Sequence, residues 1–419
     1  MHPNFSTVCV VGLGYIGLPT AALIASRGLN VVGVDIDPEV VAIVGEGRVH
    51  ITEADLDGLV QKGVHSGRLV ARQQPEPADV FLITVPTPLS GNKKPVLDYV
   101  YDAARSIAPY VRKGSLVILE STCPVGTTER VCAILAELRP DLRFPGDDDD
   151  SGSPADVAIA YCPERVLPGR ILVELVQNDR CVGGLTPACT EKARQFYELF
   201  VRGGCLETTA RTAEMVKLTE NAFRDANIAF ANELSVICDR LGIDVWDVID
   251  LANRHPRVEI LKPGPGVGGH CIAVDPWFIV DAAPHEARMI RTAREVNDGK
   301  IDYVYERARQ LIDTYPERTV ACLGLSFKAN VDDLRESPAL EIARRLGETY
   351  GSRVRIVEPF IDALPEAIAA TGAQQCDLDT ALADAGVLIL LVDHDMFRRV
   401  TAERRAGAVV YDTRGIWRR

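Results

Sequence analysis

The sequence has no apolar run approaching the roughly 20 residues that cross a bilayer, no C-x-x-C pair, and an aromatic content of only 6%. Basic residues are scarce relative to acidic ones, 46 against 59, for a formal net charge of −13. Each shortage excludes something. Without a long apolar run no membrane insertion is expected. An acidic chain repels nucleic acid and anionic lipid at long range, so no nucleic-acid partner is expected either. The eleven cysteines are odd in number and scattered, which argues against a zinc ribbon or disulfide framework and for the reduced thiols of a cytoplasm. No metal site is expected. The first seven residues carry no basic stretch, and the apolar run after them is broken by glycine, so a signal peptide is not expected.

What is present is ordinary globular material: 419 residues, 47% hydrophobic and 25% charged, a length suited to two or three domains. Short apolar runs at 8–11, 31–35, 80–85, 116–120 and 157–161 read as strands buried on both faces of a parallel sheet, with Ala/Leu/Glu-rich helices between them. The pattern changes near residue 208. A stretch without Pro or Gly at 212–241 reads as one long helix, 245–252 as a second, and 285–313 as a third. Between them, Lys262-Pro263-Gly264-Pro265-Gly266-Val267-Gly268-Gly269 excludes regular structure. The last hundred residues return to alternation, with strands at 319–323, 354–358, 387–392 and 409–412. The expected fold class is α/β: two doubly wound domains joined by an all-helical middle. No internal repeat is legible at the residue level. The patch at 145–153, with four consecutive aspartates, reads as a solvated loop, because a calcium loop needs alternating ligands.

Gly12-Leu13-Gly14-Tyr15-Ile16-Gly17 follows the first strand and opens a helix, with Pro19 where a missing N–H is tolerated. In that setting Gly12 permits the tight turn, Gly14 lets the backbone approach a pyrophosphate, and Gly17 permits close helix–strand packing. Asp35 lies 18 residues beyond Gly17, near the distance at which a carboxylate meets the adenosine ribose and repels a 2′-phosphate. NAD is therefore expected over NADP.

Most cysteines, among them Cys9, Cys132, Cys181, Cys238 and Cys322, fall in apolar runs and read as small buried hydrophobes. Cys271 differs, because it ends the glycine loop, where backbone and thiol can approach a ligand. Lys217 and Asn221 share one helix face, and Asp275 lies four residues after Cys271. His270 adjoins the thiol in sequence, which does not make it a paired base. Each of these signals alone is modest.

Together they are distinctive. The segments Val10-Val11-Gly12-Leu13-Gly14-Tyr15-Ile16-Gly17-Leu18-Pro19, Val85-Pro86-Thr87-Pro88, Glu120-Ser121-Thr122-Cys123-Pro124-Val125-Gly126-Thr127, Tyr161-Cys162-Pro163-Glu164-Arg165, Lys217-Leu218-Thr219-Glu220-Asn221, 264–276 and Ser326-Phe327-Lys328 occur in one order along nearly the whole chain. The chain resembles the UDP-glucose/GDP-mannose dehydrogenase family. The resemblance implies an NAD-binding domain (1–207), a central helical dimerisation domain (208–298), a C-terminal UDP-binding domain (299–419) and a homodimer.

It also implies a four-electron oxidation of a UDP-sugar CH₂OH to a carboxylate through a cysteine thiohemiacetal and thioester. Under that resemblance Cys271 is the nucleophile. Lys217 and Asn221 stabilise charge on the sugar oxygen, Asp275 or Glu164 activates water, and Thr122 positions water or the hydroxyl. Tyr15, Ile16, Pro86, Thr87, Thr122 and Arg335 join Gly12, Gly14, Gly17 and Asp35 around the cofactor. Glu164, Arg165, Lys217, Asn221, His255, Arg257, Gly268, Lys328 and Arg414 hold the substrate. The UDP-glucose branch usually follows the Pro-Glu pair with an aromatic residue and a Glu-Gly pair. Here Arg165-Val166-Leu167-Pro168-Gly169 follows, and with residues 253–258 it resembles the N-acetylhexosamine branch. UDP-N-acetyl-D-mannosamine is thus the favoured substrate, with UDP-N-acetylglucosamine or UDP-glucose as alternatives. A non-catalytic nucleotide sensor is the reading of another class, and the joint presence of Cys271, Lys217, Asn221 and Asp275 argues against it. A lyase or epimerase would differ by retaining its NAD unreduced after turnover.

Overall fold

The computed structural model describes residues 5–146, 155–167, 169–269 and 271–418. The aspartate run at 147–150, Pro168 and His270 lie outside the described residues. The chain divides into two compact units, residues 1–220 with 277–282, and residues 221–276 with 283–419.

The first unit is built on eight strands: β1 (Thr7–Val11), β2 (Asn30–Val34), β3 (Leu69–Arg72), β4 (Val80–Ile83), β5 (Leu116–Leu119), β6 (Ala158–Tyr161), β7 (Arg180–Gly184) and β8 (Cys205–Thr209). Their order is β3-β2-β1-β4-β5-β6-β7-β8. Neighbours run parallel except β6 and β7, which pair antiparallel. Helices cover both faces, so alternate residues of one strand enter different cores. Val8 and Val10 of β1 pack on one side, Cys9 and Val11 on the other, and β4 and β5 split the same way. A strand buried on both faces has no polar phase, which is why these runs are legible in the sequence. The strands the sequence did not announce carry less apolar signal. β3 is four residues at the sheet edge, β7 starts with Arg180 and ends in two glycines, and β8 is the half-exposed opposite edge.

The long helix Ala210–Leu241 begins in the first unit and continues into the second. Its Glu214 carboxylate accepts the Gly126 and Thr128 N–H groups at 2.7 and 2.8 Å, capping the helix Thr127–Leu138, which has no side-chain cap of its own. The second unit adds the helices Val245–Ala252 and Arg288–Thr314. It also holds a parallel sheet of β9 (Thr319–Leu323), β10 (Val354–Val357), β11 (Gln374–Gln375), β12 (Ala385–Leu390) and β13 (Val409–Asp412), ordered β11-β10-β9-β12-β13. The architecture is therefore two Rossmann-like α/β sheets with a helical middle, as the alternation implied.

The two sheets repeat one corner that the sequence hid. Gly12 (φ +97°) donates to Val34 O at 2.8 Å, Leu13 N to Asp35 Oδ2 at 2.9 Å, and Asp37 N to Asp35 Oδ1 at 3.0 Å. In the second unit Gly324 (φ +95°) donates to Val357 O at 2.8 Å, Leu325 N to Glu358 Oε2 at 2.7 Å, and Phe360 N to Glu358 Oε1 at 3.1 Å. The difference lies in what meets the acid. Asp35 is half-exposed, whereas Glu358 is buried against His394 Nε2 at 3.1 Å. His394 Nδ1 accepts the Asn330 N–H at 2.9 Å, so Nε2 carries the proton and donates to Glu358. That second corner is closed by its own protein. Among the described residues no helix is long and apolar enough to cross a membrane, and no His/Cys/Asp/Glu group could hold a metal.

Candidate active site

The glycine turn after β1 divides its work among three residues. A Cβ on Gly17 would lie 1.8 Å from Gly12 O and 2.5 Å from Thr84 Oγ1, and one on Gly12 would lie 3.0 Å from the Thr84 carbonyl. Those two glycines let the helix Gly17–Ser26 seat against the strand ends. Gly14 has no protein atom within 4 Å of its Cβ direction, so its face is open. Ile16, at the N-cap of that helix, makes no side-chain cap; Leu18 N donates to Gly14 O at 3.1 Å and Pro19 has no N–H, so the positive helix end and the N–H groups of the turn before it are what the site offers an anion. Tyr15 is exposed beside it. Asp35 is fixed at the rim by its two backbone donors. Pro86 is exposed and Thr87 buried at the carboxyl end of β4, on the side of β1 where strand order reverses and such sheets bind ligands. An open helix N-terminus facing a carboxylate fits a dinucleotide: the N–H groups suit the pyrophosphate and Asp35 the ribose diol.

Two loops beyond this corner are joined to each other. Thr87 Oγ1 donates to Thr122 O at 2.6 Å and Ser121 Oγ to Val85 O at 2.7 Å. After β6, Lys217 Nζ donates to the main-chain carbonyl of Glu164 at 2.7 Å. The Glu164 carboxylate accepts Arg165 N at 2.6 Å and Arg180 Nη2 at 2.9 Å. Arg165 pairs through its side chain with Glu220 at 2.9 Å. Behind Glu164, Glu120 accepts the Tyr197 hydroxyl at 2.5 Å and lies 3.9 Å from Arg180. Burial pushes the Glu120 carboxyl up to about 7, with Arg180 opposing and the Glu164 charge adding to the shift.

In the second unit Cys271 is the exposed member of the eleven cysteines; eight are buried, and Cys205 and Cys376 are intermediate. Burial pushes the Cys9, Cys162 and Cys322 thiols up to about 12, which leaves them inert near neutrality. The chain folds back after Cys271, with Asp275 N donating to Cys271 O at 2.9 Å and starting the helix Asp275–Ala282. Asp275, only 3% exposed, accepts Asn221 Nδ2 at 2.5 Å. Asn221 stands one turn beyond Lys217 on the same helix.

The glycine loop before Cys271 is anchored by a buried polar ladder. Gly264 N donates to Asn232 Oδ1 at 2.9 Å, Asn232 Nδ2 to Asn297 Oδ1 at 2.8 Å, and Asn297 Nδ2 to Asp225 Oδ1 at 2.8 Å, while Arg294 pairs with Asp225 at 2.6 Å. Further along, absent side chains make room for protein. A Cβ on Gly268 would lie 2.5 Å from Glu336 O, and one on Gly269 would lie 2.8 Å from the Phe327 ring. Arg414 lies against Gly264 and pairs with Asp393 at 2.9 Å. Arg335 pairs with Asp333 at 2.6 Å. Lys328, His255 and Arg257 are exposed on two separate loops. The loop carrying His255 and Arg257 is pinned by Asn253 to Ile260 at 2.8 and 3.0 Å and by Asn227 to Leu261 at 3.0 Å.

Sequence reasoning missed these supporting groups: Arg180, Tyr197, Asn232, Asn297, Asp225, Arg294 and the Glu358–His394 pair. The legible signal was polarity out of place, such as an arginine heading the apolar strand Arg180-Cys181-Val182, or Asp225 and Asn232 seven apart on one helix face.

Residues 6–201 match the NAD binding domain of the UDP-glucose/GDP-mannose dehydrogenase family, 211–299 its central domain and 321–419 its UDP binding domain. The chain is 58% identical over 414 residues to an NDP-N-acetyl-D-galactosaminuronic acid dehydrogenase of Ralstonia nicotianae, covering 99% of this chain and 97% of the relative. It is 53% identical over 424 residues to the UDP-N-acetyl-D-mannosamine dehydrogenase of Escherichia coli K12, covering 99% of this chain and 100% of that protein. Among solved structures, the UDP-D-ManNAc dehydrogenase of Pyrococcus horikoshii superimposes with a TM-score of 0.88 at 36% identity, over 98% of this chain and 96% of the other. The UDP-N-acetyl-mannosamine dehydrogenase of Staphylococcus aureus does so with a TM-score of 0.84 at 39% identity, over 99% and 96%. The chain belongs to the UDP-glucose/GDP-mannose dehydrogenase family and is an NAD-dependent UDP-sugar oxidoreductase.

Proposed function

We propose that the protein oxidises the C6 alcohol of UDP-N-acetyl-D-mannosamine to the uronate in two steps, for cell-surface polysaccharide precursors. The observation that carries this reading is the linkage of the exposed Cys271, through its turn to Asp275, with Asn221, one helical turn from Lys217. Bound at the Gly14 face and Asp35, NAD supplies the hydride acceptor.

The residues of the chain do the rest. In the first oxidation the Lys217 ammonium and the Asn221 amide offset negative charge on the sugar oxygen. The resulting aldehyde cannot release hydride until a nucleophile adds. Cys271 adds as a thiolate, and loss of hydride from the thiohemiacetal leaves a thioester on its sulfur. Water, oriented by Thr122 and deprotonated by Asp275 or Glu164, hydrolyses it. His255, Arg257, Gly268, Lys328, Arg414 and Arg165 are the proposed substrate holders, and Arg335 a cofactor contact. A few such cations let a chain of net charge −13 bind an anionic nucleotide sugar.

A homodimer built by the helical middle, working in the cytoplasm, completes the reading. Its support is a stripe on the long helix: Phe223, Phe230 and Ile237, seven residues apart, are 69%, 56% and 45% exposed. Apolar side chains at that spacing form one seam that a second copy can cover.

UDP-N-acetyl-D-galactosamine is the second reading for the sugar, favoured by the 58% identity to the Ralstonia relative. The test is kcat/KM for NADH formation over a panel of UDP-hexoses. Preference for UDP-N-acetylmannosamine supports the first reading and preference for UDP-N-acetylgalactosamine the second. No NADH with any sugar ends both.

A further inference from the structure

The antiparallel pair β6–β7 aligns Ala160 with Gly184 and Tyr161 with Gly183. Continued three residues, the same register sets Glu164 opposite Arg180. Arg180, 4% exposed, is held on several sides. Its guanidinium lies 5.0 Å from the Tyr197 ring, 3.9 Å from Cys162 Sγ and 3.9 Å from Glu120, with a 2.9 Å hydrogen bond to Glu164 Oε2. Glu164, 8% exposed, is thereby held from both ends: its carboxylate by Arg180 and by Arg165 N, its carbonyl by Lys217.

We infer that Arg180 is a positioning residue: by holding the Glu164 carboxylate it presents the Glu164 main-chain carbonyl to Lys217, and so sets where the ammonium stands. The chemistry runs in one direction. The carbonyl of Glu164 fixes one of the three Lys217 N–H donors, which leaves two to aim elsewhere. A buried carboxylate that loses its cation must find another cation or a proton. If Arg180 is removed, Glu164 rearranges and takes the Lys217 acceptor with it. The role of Lys217 in turnover rests on the function proposed above, whereas its placement by Glu164 and Arg180 does not.

The test uses full-length Arg180→Gln and Arg180→Lys with two readouts. One is kcat and KM for NAD and the UDP-sugar. The other is the rate at which Lys217 is acylated by a small amine-reactive ester, followed by peptide mass spectrometry. Arg180→Gln is expected to lower kcat on the order of 100-fold, with KM for NAD little changed, and to speed Lys217 labelling severalfold. Arg180→Lys, which keeps the charge but not the fork, is expected to restore part of kcat. Unchanged Lys217 labelling overturns the inference, whatever happens to kcat, and so does a normal kcat in Arg180→Gln. Should Arg180→Gln not fold, Glu164→Gln tests the pair from the other side. Faster Lys217 labelling supports the inference, and unchanged labelling overturns it. If the wild type oxidises no UDP-sugar, the proposed function fails and the labelling arm still decides the role of Arg180.

Discussion

Alanine at Gly17 would put a methyl carbon 1.8 Å from Gly12 O, a backbone atom that no rotamer change can carry out of the way, and 2.5 Å from the Thr84 hydroxyl Oγ1. Overpacking of this kind costs about 1–3 kcal/mol and occasionally more; a backbone obstacle argues for about 3 kcal/mol. At about 2–4 °C per kcal/mol for domains of this size, the apparent Tm of Gly17→Ala falls by about 6–12 °C. Gly14→Ala is the control from the same turn. Its methyl meets no protein atom within 4 Å, so stability stays level or rises by up to about 1 kcal/mol as the unfolded chain loses freedom. The methyl instead occupies the face assigned to the pyrophosphate. NAD affinity is expected to fall by about 10–100-fold, or about 1.4–2.8 kcal/mol. Thermal unfolding and NADH fluorescence titration read the two effects separately. A Gly14→Ala protein that binds NAD as tightly as the wild type refutes the assignment of that face. A Gly17→Ala protein with an unchanged Tm refutes the packing argument.

Three further outcomes are expected. Glu120 holds its proton up to about pH 7 in the folded chain, against 4.5 when unperturbed. The folded state therefore binds the extra proton across that window, and stability falls as pH rises through it, by up to about 1.4 kcal/mol per pH unit. Glu120→Gln should flatten that stretch of the urea-unfolding pH profile, and an unaltered slope would remove Glu120 from the account. Asn221→Asp sets a carboxylate against Asp275 in place of the 2.5 Å amide donor. It should cost about 1–3 kcal/mol at neutral pH and recover toward pH 4; equal loss at both pH values would mean the charge is not the cause. Phe230→Glu puts a charge in the middle of the exposed stripe and should yield monomers by light scattering, with far-UV circular dichroism unchanged. A dimer that survives the substitution places the subunit contact elsewhere.

The fold was legible where burial is two-sided. The run at 80–85 contains β4 (Val80–Ile83) with two residues to spare, the run at 319–323 matches β9, and the Pro- and Gly-free stretch at 212–241 matches the long helix within two residues. Of the edge strands, β3, β8 and β11 were not legible, the last two being half or fully exposed, whereas the edge strand β13 matches the run at 409–412. The repeated corner escaped because it is made of backbone hydrogen bonds and one acid. Asp35 and Glu358 differ in side-chain length, and no six-residue motif surrounds Glu358. In the candidate site, Cys271, Lys217, Asn221 and Asp275 were singled out through motifs, and the Asp275 N to Cys271 O hydrogen bond folds the chain back over their spacing of four. Arg180 and the Asn232–Asn297–Asp225–Arg294 ladder act through tertiary contacts between residues up to 72 apart, which periodicity does not encode. The glycine loop needed a different reading too. Gly268 and Gly269 make room for Glu336 and Phe327, so their first duty is to seat the loop that carries Cys271.

The claim that one carbon is oxidised twice through Cys271 is tested most directly by the NADH yield per UDP-N-acetylmannosamine consumed, in the wild type and in Cys271→Ser. Cys271 is exposed, so the serine variant should fold normally and bind NAD and UDP-sugar as before. Two NADH per sugar are expected from the wild type and no more than one from Cys271→Ser, with no uronate formed. Two NADH and full uronate from Cys271→Ser would contradict the claim.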